Sequence, residues 1–85
     1  MDKNEPIITY QQETDEMLKL LEGKTEFRCD GKLVRGDYLY HILGIFDNEK
    51  IAVKFFGKHH QWWHYEFIDA WSLYQDYKNG YVEIK

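Results

Sequence analysis

Cysteine and proline each occur once in this chain of 85 residues, and no apolar run approaches the length of a membrane span. A lone Cys29 cannot close an internal disulfide, which excludes the stapled design of small secreted domains and fits a reducing compartment. Its simplest role is that of a small buried hydrophobe. The polar, acidic N-terminus has no signal-peptide pattern, and about 18 consecutive apolar residues would be needed to cross a bilayer. The expectation is therefore a cytoplasmic protein without membrane contact. Glycine-rich phosphate loops of the P-loop or dinucleotide type are missing, as are the cysteine and histidine spacings of zinc sites. Nucleophilic chemistry would have to use Cys29, Ser72 or one of a handful of threonines, none in a recognisable setting. Cys29 beside His41 on a neighbouring strand is geometrically open, but no orienting third group or oxyanion hole accompanies it. These absences predict a chain that is not an enzyme and takes no cofactor.

What the sequence does have is aromatic residues, at 18% of the chain, within a composition that is 44% hydrophobic and 31% charged. The stretch from Lys54 to Trp71, KFFGKHHQWWHYEFIDAW, holds all three tryptophans, three of the four histidines and four further aromatic residues. Each such ring carries roughly 150 to 250 Å² of buriable surface, so the segment builds the core, a contact surface, or both. Eighty-five residues suffice for one domain. The reading is a flexible lead over residues 1–8 and a single domain over 9–85. The net charge of −4 is unevenly spread: residues 1–30 carry eight acids and four bases, 31–60 three and five, and 61–85 four and two. An acidic balance argues against indiscriminate binding to nucleic acid or anionic lipid while permitting a local basic face.

Periodicity places the elements. Thr9 and Gln12 have the spacing of a capping box, and Tyr10, Met17, Leu18, Leu20 and Leu21 form a stripe on a helix over 10–22 that Gly23 ends. Residues 25–30 alternate, Asp30-Gly31 reads as a turn, and residues 33–46 form a long β-favouring run in which Gly36 and Gly44 mark bends or bulges. After the polar turn Asp47-Asn48-Glu49, residues 51–56 alternate with Ile51, Val53 and Phe55 on one face and Lys50, Ala52, Lys54 and Phe56 on the other. A fourth strand follows Gln61, with Trp63, Tyr65 and Phe67 expected toward the core and Trp62, His64 and Glu66 outward, because the second set holds the charge and the imidazole. Asp69 caps a second helix, Asn79-Gly80 stops it, and residues 81–85 make a last strand. The fold class is α+β: a twisted antiparallel sheet of four to five strands, partly rolled with SH3-like barrel character, with the N-terminal helix on one face and a short second helix before the last strand. No motif ties the chain to a particular family.

Three constellations could carry function. His60, His64 and Glu66 would share a strand face and offer two imidazoles and a carboxylate to a metal, but surface histidines are common and the reading is that no metal binds. Lys50, Lys54 and Lys58 alongside Phe56 and Trp62 form a basic, aromatic strand face of the kind that holds single-stranded nucleic acid. The same rings serve equally as protein anchors, because Trp and Tyr dominate desolvated interface pockets. The first expectation is a small non-catalytic regulator or inhibitor that contacts another protein through Phe56, His59, His60, Trp62 and His64. Single-stranded nucleic-acid binding through Lys50, Lys54 and Lys58 is the alternative.

Overall fold

The computed structural model describes residues 5–30, 38–57 and 61–85. Helix α1 (Glu5–Leu20) is followed by strands β1 (Glu26–Cys29), β2 (Leu39–Phe46), β3 (Lys50–Gly57) and β4 (Trp62–Asp69), then helix α2 (Ala70–Lys78) and strand β5 (Val82–Ile84). The helix starts five residues before the expected Tyr10, so Thr9 lies inside it and is no cap. Pro6 permits this early start: in a first helical turn its missing N–H would have no partner anyway, and its fixed φ suits the helix. Thr14, Met17 and Leu21 recur at helical spacing and are buried, and Gly23 at φ 76° lets the chain leave the last turn.

All neighbouring strands are antiparallel, in the order β4-β3-β2-β1-β5. The sheet stays open: β4 and β5 lie at opposite edges and do not meet, so the expected rolling into a small barrel does not go to closure. The β2–β3 hairpin turns on Asp47 and Asn48, both at φ 54°, as the I′ type demands, and the Glu49 N–H donates to the Phe46 carbonyl at 3.1 Å. The register shifts between Ile42 and Gly44, which is the irregularity expected at Gly44. Gly31 and Gly36, also expected in a turn and a bend, lie outside the described residues.

Register assigns the two faces. Phe27 pairs with Tyr40 and Ile84, Cys29 with Val82, Ile42 with Val53, and Ile51 with Ile68, and these residues all belong to or pack against one core with Met17, Leu21, Ala70 and Leu73. Both helices therefore cover the same face. Tyr40 anchors it, with its ring stacked on Phe27 at 5.3 Å and tilted on Phe55 at 4.9 Å. Asp69 caps α2 as expected, accepting from the Ser72 N–H at 3.1 Å, and Asn79 with Gly80 at φ 82° ends it.

Trp71 belongs to the contact between the helices. Its indole N–H donates to Glu13 Oε1 at 2.8 Å, Gln75 Nε2 donates to the same oxygen at 2.9 Å, and Lys78 Nζ donates to Oε2 at 2.7 Å. Residues 71, 75 and 78 fall on one side of α2, so a single carboxylate of α1 satisfies that side. The Glu13 pKa is lowered chiefly by the hydrogen bond from Lys78, with Gln75 and Trp71 adding to it and desolvation opposing it.

Candidate functional site

The other face of the sheet carries most of the exposed rings. Three rows cross it from β2 through β3 to β4, and a fourth joins β3 to β4. Phe46 pairs with Lys50 and Lys50 with Asp69; Gly44 pairs with Ala52 and Ala52 with Phe67; His41 pairs with Lys54 and Lys54 with Tyr65; Phe56 pairs with Trp63. This arrangement overturns the expected orientation of β4. Trp63, Tyr65 and Phe67 lie on the uncovered face, while Trp62, His64 and Glu66 share the inner side with buried Ile68. The physical reason is register: β3 and β4 pair odd positions with even ones, so once Ile51 faces the core, Ile68 must join it and every odd residue of β4 turns away. The expected ranking of the two tryptophans nevertheless holds, with Trp62 at 70% exposure and Trp63 at 41%.

On the open face Phe46, Phe56, Trp63, Tyr65 and Phe67 are 52, 44, 41, 67 and 63% exposed. At roughly 200 Å² per aromatic side chain they leave on the order of 500 Å² of ring surface in water, the size of the largest patch on a typical monomer, which is often functional. The rings support one another: Phe46 meets Phe67 edge-on at 5.4 Å, and Trp63 meets Phe56 at 5.5 Å and His41 at 5.7 Å. Lys54 Nζ sits 4.7 Å from the Trp63 ring centroid. Between these clusters the row Gly44–Ala52 offers nothing larger than a methyl on β2 and β3. Charge on the face is balanced among the described residues, with Arg28, Lys50 and Lys54 against Glu26, Asp69 and Glu83. Lys50 Nζ lies 3.5 Å from Asp69 Oδ1, and His41 Nδ1 lies 3.7 Å from Glu26 Oε2.

The residues singled out from sequence are thus divided. Phe56, Lys50 and Lys54 lie on the open face; Trp62 and His64 lie on the inner side of β4; His59, His60 and Lys58 lie outside the described residues. His64 stacks on Phe55 at 5.3 Å and lies so close to Gly57 that an added Cβ there would come within 2.5 Å of its Nε2. Of the metal trio, His64 and Glu66 do share a side, and among the described residues no group of three or more metal-binding side chains gathers. Cys29 is fully buried on the inner face while His41 lies on the open one, so the sheet separates the nucleophile–base pair that the sequence suggested across adjacent strands.

Sequence reasoning missed Phe46, Trp63, Tyr65 and Phe67 as surface residues, although one signal was present: Ile68, β-branched and directly before the cap Asp69, is the residue of β4 best suited to pair with Ile51. Among the described residues no helix is long and apolar enough to cross a membrane. The chain matches no protein-family model, no curated protein and no solved structure.

Proposed function

We propose that this chain is a small, non-catalytic, cytoplasmic binding module that docks another protein on the open face of its sheet. The observation that carries the reading is that Phe46, Phe67, Tyr65, Trp63 and Phe56 are all exposed on one face that neither helix covers. Exposing this much ring surface costs solvation that a partner would recover. The Phe46 ring already lies against Gly44, 3.6 Å from where a Cβ would stand, so a partner would meet the rings themselves.

The single-stranded nucleic-acid alternative draws on the same rings plus Lys50 and Lys54. It is the weaker reading because stacking must be joined by several free cations. Lys50 already pairs with Asp69, Lys54 lies over Trp63, and acids equal bases across the described face.

Salt separates the two readings. A protein complex held by the rings tolerates moderate salt and weakens by about 2 kcal/mol or more, roughly thirtyfold, in Phe67→Ala or Phe56→Ala. Labelled single-stranded DNA or RNA is expected to show no appreciable binding near physiological salt. A tight complex with either that weakens steeply as salt rises would replace the protein reading with the alternative.

A further inference from the structure

Strand β4 is an edge of the sheet: among the described residues it pairs with β3 alone. Edge strands are ordinarily protected by shortness, lysine, proline, a bulge, or a charge on the inner side. The opposite edge, β5, has three residues and is protected by shortness. β4 has eight, with neither lysine nor proline, and its pairing with β3 runs without a register shift. Its one charge on the inner side short of the helix cap is Glu66, which would repel an unmatched strand.

We infer that β4 pairs with β4 of a second copy of this chain, in an antiparallel register centred on Tyr65, joining two five-stranded sheets into one. Symmetry restricts the choice. Two identical antiparallel neighbours are related by a two-fold axis perpendicular to the sheet, which puts both open faces on the same side and pairs only residues of equal parity. Four registers pair more than half of the strand, and centring on Phe67 sets Glu66 against apolar Ile68 and Tyr65 against Asp69, with only five of the eight residues paired. Centring on His64 places imidazole against imidazole, and centring on Glu66 places carboxylate against carboxylate. Centring on Tyr65 sets His64 opposite Glu66 of the second copy twice over, so neither imidazoles nor carboxylates oppose one another. It also sets Trp63 against Phe67 twice and Tyr65 against its own mate, and aromatic pairs are among those that favour cross-strand neighbours. Glu66 thereby rejects other strands and other registers while accepting this one. The pairing does not depend on what the open face binds. It makes that face continuous across two copies.

The test uses the full chain. Sedimentation equilibrium from low- to high-micromolar concentration is expected to show a reversible monomer–dimer equilibrium. Glu66→Lys, on an exposed side chain, is expected to weaken it by about tenfold, because symmetry counts each lost pair twice. The register is read by cysteine substitution, since directly opposed antiparallel residues have Cα separations within disulfide range. Tyr65→Cys is expected to oxidise to a covalent dimer, whereas His64→Cys and Glu66→Cys remain monomeric under the same oxidant. Tyr65 is largely exposed, so its replacement does not threaten the fold. A monomer at every concentration would overturn the inference, and so would preferential crosslinking through position 64 or 66. A monomer that still captures a protein through Phe46 or Phe56 would sink the pairing alone; a dimer whose face binds nothing would sink only the docking proposal.

Discussion

Gly57 lies on the inner side of β3, opposite Trp62, and is covered by the His64 imidazole. An alanine Cβ there would stand 2.5 Å from His64 Nε2 and 2.6 Å from its Cδ2, distances that force one group to move. Elsewhere a Gly→Ala change at a compatible backbone stabilises by about 0.4–1 kcal/mol, through lower entropy of the unfolded chain. At this position the gain is reversed. If the imidazole stays, overpacking costs about 1–3 kcal/mol. If it swings away, it gives up its stack on Phe55, worth roughly 0.5–1.5 kcal/mol. The expected net loss for Gly57→Ala is about 1 kcal/mol, which in a domain of this size lowers Tm by about 4–8 °C. In a His64→Ala background the clash is absent, and the same substitution is expected to gain about 0.5 kcal/mol. Urea unfolding followed by tryptophan fluorescence, with four proteins closing the cycle, measures the coupling, expected near 1.5 kcal/mol. Gly57→Ala that is neutral or stabilising with His64 present, or a cycle that is additive, would refute the packing of His64 over Gly57.

Further outcomes follow from the core and the helix contact. Phe27→Ala removes a fully buried ring stacked on Tyr40 and is expected to cost about 3–5 kcal/mol, while Phe67→Ala on the open face is expected to leave chemical stability within about 0.5 kcal/mol; equal losses would contradict the assignment of the faces. Thr14→Val replaces a buried hydroxyl that has no hydrogen-bond partner among the described residues, and is expected to raise stability by about 1 kcal/mol in the same urea assay; a loss would mean that the hydroxyl is satisfied. Glu13 has a folded-state pKa below the ordinary glutamate value, chiefly through Lys78, so its contribution is present above the unfolded pKa and is lost as pH falls through the folded one. The stability difference between wild type and Glu13→Gln should be flat near neutrality and shrink across the acid range; a difference that ignores pH would show that the carboxylate charge contributes nothing.

The elements that a local pattern specifies were legible in the sequence. Ile51, Val53 and Phe55 alternate and do face the core, Asp69 caps α2, Gly44 accompanies a bulge, and Asn79-Gly80 ends the second helix. The start of α1 was not, because Thr9 and Gln12 satisfy a capping pattern that the continuing helix overrides. The facing of β4 was not either. Both of its sides carry aromatic residues, so hydrophobic content could not choose between them, and the choice came from pairing with β3, a long-range fact. That single register decides the candidate site. It moves Tyr65 and Phe67 from the expected core to the surface, beside the Lys50, Lys54 and Phe56 that sequence had already placed together.

Site-specific photocrosslinking tests the docking face most directly. A photoreactive phenylalanine analogue replaces Phe46 or Phe56 on the open face in one set of variants, and Thr9 on the exposed part of α1 in the control. On irradiation in cells, the account predicts a discrete protein adduct from positions 46 and 56 that survives raised salt before irradiation of the extract, is reduced by Phe67→Ala, and is missing from position 9. Adducts to nucleic acid alone, or the same protein adducts from both faces, would contradict it.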